Sequence, residues 1–132
     1  MASLDHISLS VSDFPAARAF YSAALSPLGI SVQMELAKEG RRGGGVDAAG
    51  FGIAGKPFFW IAGAGRATPG LHVAFAAASR AEVDAFYKAA IAAGGRDNGP
   101  PGIREHYHPT YYGAFVLDAD GNNIEAVCHK PE

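Results

Sequence analysis

The sequence predicts an α+β fold made of two tandem βαβββ modules. Three observations carry that prediction. AFYSAAL at residues 19–25 returns as AFYKAAI at residues 85–91, an offset of 85 − 19 = 66, half of the 132-residue chain. An alternating strand pattern precedes each copy, and short strand-like runs follow it. The register holds without a gap: Leu4–Leu9 falls on Gly70–Phe75, Asp13 on Ser79, Leu28-Gly29 on Gly94-Gly95, Gly55 on Gly121 and Phe59 on Glu125. One domain over 1–132 is expected, with modules at 1–66 and 67–132.

Each element follows from its local pattern. Ile7, Leu9 and Val11 alternate with His6, Ser8 and Ser10, and Val73 and Phe75 alternate with His72, Ala74 and Ala76. Both patterns have the period of a strand, and each puts its histidine on the less apolar face. Asp13 reads as an N-cap with Pro15 in the first turn, and Ser79-Arg80-Ala81-Glu82 reads as a capping box. Ala17, Phe20, Tyr21, Ala24 and Leu25 recur at helical spacing, as do Val83, Phe86, Tyr87, Ala90 and Ile91. The doubled AFY is therefore expected on the inner faces of two equivalent helices, stopped by Gly29 and Gly94. Strands are expected at Ser31–Leu36, Val46–Ile53 and Phe58–Ala62, then at Tyr112–Leu117 and Asn123–Cys128. Asp118-Ala119-Asp120-Gly121 would turn the last hairpin. Gly94–His108, rich in Gly and Pro, reads as a loop.

Composition narrows the function. The net charge is −2, from 11 basic and 13 acidic side chains, with no basic stripe, so nucleic acid is not an expected partner. No apolar run approaches a membrane span, and the N-terminus lacks the pattern of a signal peptide. The single cysteine, Cys128, rules out an intrachain disulfide and suits a cytoplasmic location. Gly50 to Gly55 mimics a dinucleotide or phosphate loop, but a strand-like KPFFWIAG follows it rather than a helix, so its glycines read as turn residues. Arg41 to Gly45 reads as a surface loop whose arginines are within reach of an anionic ligand.

With DHISLSVSDFPAARAFY opening one module, GLHVAFAA opening the other and DADGNNIEAV near the end, the chain resembles the vicinal oxygen chelate superfamily of glyoxalases, bleomycin-resistance proteins and extradiol dioxygenases. The resemblance implies a half-barrel cleft around a divalent metal held by His6, His72 and Glu125. Phe59, at the fourth equivalent position, cannot bind a metal. Two imidazoles and a carboxylate suit Fe, Mn, Co, Ni or Zn, and leave positions open for a substrate with vicinal oxygens. Glyoxalase I uses a second acidic or amide ligand where Phe59 stands, so that activity is not expected. The two-His, one-Glu set fits an extradiol dioxygenase, although Phe115 replaces its tyrosine.

His106, His108 and Tyr112 are the candidate catalytic groups, with His106 and His108 equally placed to supply a base. Phe59, Trp60, Tyr111 and Phe115 are the candidate substrate-binding residues. The expected activity is that of a dioxygenase, lyase or isomerase on a small molecule. The alternatives are a metal-free protein that sequesters a drug or metabolite in an aromatic cleft, and a regulatory module without catalysis. The family further implies a homodimer.

Overall fold

The structure is a computed structural model that describes residues 2–37, 47–64, 66–67 and 70–132. The arginine-glycine stretch Arg41–Gly45, with Val46 beside it, lies outside the described residues. The first half runs β1 (Ile7–Ser10), α1 (Phe14–Leu25), a single 3-10 turn, β2 (Ser31–Leu36), β3 (Ala48–Ile53) and β4 (Lys56–Ala62). The second half runs β5 (His72–Ala76), α2 (Arg80–Ala92), β6 (Arg96–Ile103), β7 (Tyr112–Leu117) and β8 (Asn123–Cys128). The strands form two four-stranded sheets, ordered β1-β4-β3-β2 and β5-β8-β7-β6, and neither closes into a barrel.

The helix starts are built as their sequences suggest. Asp13 Oδ1 accepts from the Ala16 N–H at 3.1 Å. Ser79 Oγ accepts from the Glu82 N–H at 3.2 Å, while the Glu82 carboxylate reaches one residue further back than in the standard box, to the Ala78 N–H at 3.1 Å. The two AFY copies are not equivalent. Phe20, Tyr21 and Phe86 are buried, but Tyr87 is only half-buried.

Gly94–His108 corrects the sequence reading, because β6 occupies most of it. Gly and Pro weaken a strand that must hydrogen-bond on both sides, but β6 is a sheet edge and needs partners on one side only. Its register against β7 passes from Gly99↔Phe115 to Gly102↔Gly113, so Pro100 and Pro101 fall in a bulge where no ladder N–H is required.

The repeat also slips. β1 and β4 pair with Ile7 opposite Phe59, whereas β5 and β8 pair with Val73 opposite Ile124. The first strands are thus offset by 73 − 7 = 66 and the last strands by 124 − 59 = 65. One residue in a strand exchanges the faces of the sheet. The residue in Glu125's ladder position is therefore Trp60, and Phe59 matches Ile124 on the helix-covered face.

There Phe59 joins the two halves. Its ring meets Tyr21 at 5.1 Å and, across the module boundary, Phe75 at 5.2 Å, both edge-on. Each such ring buried from water contributes about 1.5–3 kcal/mol, plus a smaller gain from edge-to-face geometry. A polar joint lies beside this apolar one. Tyr21 donates its hydroxyl to Asp118 Oδ2 at 2.5 Å, and Asp118 Oδ1 accepts from the backbone N–H groups of Asp120 and Asn122. The Asn122 side-chain amide also donates to Asp118 Oδ2, at 2.9 Å, so the buried carboxylate is fully engaged.

Burial first, then the Asp118 charge and hydrogen bond, push the Tyr21 phenol well above its ordinary value of 10.0. Its contribution to stability is complete below about pH 10 and declines as pH rises further, because the unfolded chain releases this proton and the folded chain retains it. Tyr21→Phe is expected to cost ~1–3 kcal/mol in chemical denaturation at neutral pH, and to flatten the loss of stability above pH 10. An unchanged denaturation midpoint together with an unchanged alkaline slope would contradict this joint.

Candidate metal and substrate site

β8 lies between β5 and β7, which places Glu125 opposite Ala74 on one side and Phe115 on the other. His72 stands two residues before Ala74, on the same face of the sheet, away from α2. Its Nε2 is 2.7 Å from Glu125 Oε1. The Glu125 side chain is fully buried, while that of His72 is 52% exposed, so the imidazole opens the pair to solvent.

The other carboxylate oxygen is covered from above. Residues 104–111 fold into a compact loop between β6 and β7, tied by Arg104 N–H to Tyr111 O at 2.8 Å and by Tyr111 N–H to His108 O at 3.1 Å. From its end, Tyr111 donates its hydroxyl to Glu125 Oε2. Burial, followed by the bond to Glu125 and its charge, raises the Tyr111 phenol, which stays a donor at neutral pH. Tyr111, expected to bind substrate, thus reaches the carboxylate itself.

His6 is built differently. It precedes β1, its side chain is 54% exposed, and its Nδ1 is 2.7 Å from Asp5 Oδ1. Asp5 also takes the Lys56 ammonium at 2.7 Å; Lys56 first, and His6 second, hold the Asp5 carboxyl below its ordinary range. An imidazole hydrogen-bonded to a carboxylate through one nitrogen can present the other to a metal. His6 nevertheless does not join His72 and Glu125: among the described residues no group of three metal-ligating side chains is assembled. The chain brings together two members of the expected trio.

The remaining candidates divide by face. Phe115 lies opposite Glu125, and its ring centroid is 6.2 Å from that of His72. His106 packs against Tyr107, with ring centroids 4.1 Å apart and planes tilted by 47°, and helps line a cleft of about 260 Å³ with Asn98, Arg104, Phe115 and Asn123. His108 stays outside it, its Nδ1 turned to Thr110 Oγ1 at 3.0 Å. Tyr112 has the opposite strand parity: it donates to Asp84 Oδ1 on α2 at 2.6 Å and lies under the Arg80 guanidinium. That places Tyr112 on the helix face, away from Glu125, contrary to a catalytic role. Phe59 is likewise buried on the helix face, and with His6, Phe58 and Ala74 it lines a second cavity of about 350 Å³ between the modules.

Trp60 is half-buried on the face opposite to that of Phe59, paired with Ser8 and Gly50. Met34 also pairs with Gly50, and both it and Leu36 are exposed on this side. Sequence reasoning passed over Arg104 and Asn123. Asn123 shares the strand parity of Glu125 and was legible on that ground. Arg104 was hidden by the loop reading of its surroundings.

A Cβ on Gly50 would lie 2.8 Å from both Cε2 and Cζ2 of Trp60, so the indole occupies the space that this glycine leaves free. Gly50→Ala is expected to displace Trp60, the only tryptophan, and to shift its fluorescence towards that of exposed indole. Identical emission in parent and variant would contradict the packing.

A family model described as Glyoxalase/Bleomycin resistance protein/Dioxygenase superfamily matches residues 3–126. A glyoxalase/bleomycin resistance protein from Albidiferax ferrireducens T118 is 32% identical in sequence, with a TM-score of 0.75 over 96% of this chain and 98% of that one. A fosfomycin resistance protein from Listeria monocytogenes is 22% identical, with a TM-score of 0.68 over 97% of this chain and 93% of that one. Glyoxalase I from Zea mays is 16% identical, with a TM-score of 0.70 over 98% of this chain and 45% of that one. The last two likenesses are of fold. Comparison with curated protein sequences finds no match.

Proposed function

The chain belongs to the glyoxalase/bleomycin resistance protein/dioxygenase superfamily, and from that premise we propose that it is a small-molecule metalloenzyme whose divalent ion is held by His72, Glu125 and a third ligand, His6, supplied by a second copy of the chain. The observation that carries the reading is the His72–Glu125 pair. Its facing donor atoms are 2.7 Å apart, at hydrogen-bond distance, and would have to spread by about half an ångström to flank one ion. A buried carboxylate and a neutral imidazole are donors suited to a first-row divalent metal. The bound ion would supply Lewis-acid stabilisation to a substrate with adjacent oxygens.

The chain's own residues supply orientation. Tyr111 fixes the Glu125 carboxylate through its hydroxyl, and Phe115 forms an apolar floor beside His72. His106, at the cleft, is the better placed of the two histidine bases, since His108 is engaged with Thr110. Trp60 stands where a second, symmetry-related carboxylate would have to be, so a two-carboxylate glyoxalase mechanism is disfavoured and a dioxygenase, lyase or isomerase with a two-His, one-Glu ligand set remains.

Support for a second copy comes from the sheet edges. β1 and β5, the strands next to His6 and carrying His72, are both outer strands. Their free edges, and the exposed Met34 and Leu36, suit a homodimer in which first and second modules of different chains face one another.

A metal-free sequestration protein is the competing reading. It is favoured by one observation: Glu125 already has a partner on each oxygen and is satisfied without an ion.

Elemental analysis and Co(II) titration separate the two. A stoichiometric ion is expected in the parent and absent from Glu125→Ala and His6→Ala, while Tyr111→Phe is expected to weaken metal affinity by roughly 10–100-fold. Mixed dimers of the His6→Ala and Glu125→Ala chains are expected to regain one working site. No ion in the parent under aerobic or anaerobic conditions would overturn the metalloenzyme reading in favour of a metal-free one, and mixed dimers without metal would remove the shared site.

A further inference from the structure

We propose that the cleft beside His72 and Glu125 selects ligands bearing a carboxylate, and that Arg104 makes the selection. This rests on the reading of that cleft as the substrate site and adds the class of substrate. The first argument is the missing counter-ion. Among the described residues no carboxylate lies in ion-pair range of Arg104; the arginine and lysine ion pairs are Arg18 with Glu35 at 2.5 Å and Lys56 with Asp5 at 2.7 Å, so what sets Arg104 apart is the cleft it lines. The side chains that line the cleft with it, Asn98, His106, Tyr107, Phe115 and Asn123, include no acid.

The second argument is that the guanidinium is held in place. It lies over the Phe115 ring, 5.4 Å from the centroid, on the ring that also neighbours His72. Its Nη2 donates to Pro100 O at 2.6 Å. Gly99 and Gly102 leave the gap in which it rests: a Cβ on either would come within 3.1 Å of Nη2 or 3.0 Å of Nη1, respectively. A guanidinium has five N–H donors in a fixed fork, so one bond to a carbonyl leaves a face free for a planar carboxylate. Half-burial and prior ordering strengthen that interaction, because little side-chain freedom remains to be lost.

The third argument is a polar atom without a partner. Asn123 Oδ1 is buried without a hydrogen bond and belongs to the same cleft, so it offers an acceptor to a hydroxyl or amine on the ligand. With about 260 Å³ of space and an aromatic floor, the cleft suits a small hydroxylated or aromatic carboxylic acid. Its carboxylate would sit on Arg104 and its remaining oxygens would face His72 and Glu125.

The test uses metal-free full-length protein with benzoate and benzyl alcohol, which differ in the anionic group. Binding is followed by NMR at the Arg104 Nε–Hε resonance and at the Phe115 ring. Benzoate is expected to bind about tenfold to a hundredfold more tightly than benzyl alcohol, with a preference that shrinks as salt rises. Arg104→Gln is expected to abolish the preference, so that benzoate binds no more tightly than benzyl alcohol. Arg104→Lys, which keeps the charge without the fork, is expected to retain a smaller preference. Failure of the parent to bind benzoate, equal affinity for the two probes, or a preference that survives in Arg104→Gln would each overturn the proposal. Metal is measured without carboxylate and carboxylate without metal, so the failure of one reading is distinguishable from the failure of the other.

Discussion

The two halves of this chain are held in register by a phenol and a carboxylate that both lie out of water. Tyr21 belongs to the first module and Asp118 to the last turn of the second, and their 2.5 Å hydrogen bond crosses between them. An unpaired carboxylate in that position would cost several kcal/mol, so the turn supplies three further N–H donors and leaves no lone pair unengaged. The apolar chain Tyr21–Phe59–Phe75 runs beside it and supplies the burial energy that the polar contacts alone lack. The joint fixes where β8 begins, and hence where Glu125 stands relative to His72.

Most of the architecture was legible because it depends on period and punctuation. The helix caps at Asp13 and Ser79, and the strands Ser31–Leu36, Tyr112–Leu117 and Asn123–Cys128, lie where alternation and turn residues put them. Two features were not legible, each for a stated reason. β6 was hidden because Pro and Gly report what a residue does to a central strand, and nothing in the sequence marks which strand will be an edge. The one-residue slip between the modules was hidden because the strong matches lie in the first strand and helix, and an offset carried through them says nothing about a hairpin further on.

The site shows the same division. The family resemblance brought out His72 and Glu125, and the structure sets them 2.7 Å apart. It could not bring out Arg104 or the use of Tyr111, because both depend on how residues 104–111 fold back over β8, and no period governs a loop. Tyr111 supplies the donor that lets a carboxylate remain wholly buried on a sheet face, and Arg104 adds a positive charge over the Phe115 ring that neighbours His72. The candidate site is thus built from a regular element, which sets the spacing, and an irregular one, which sets the electrostatics.

The adjacent prolines of β6 carry a consequence for solubility. A sheet with two open edges can recruit strands at either side and grow without limit. Pro100 and Pro101 contribute no N–H to the outer rim of the second sheet, and the bulge they occupy bends that rim out of line. Further strands are discouraged there, whereas β5 at the other rim is regular and free of proline. Any strand added to this sheet would therefore meet an open rim on one side only, which disfavours growth into a fibre.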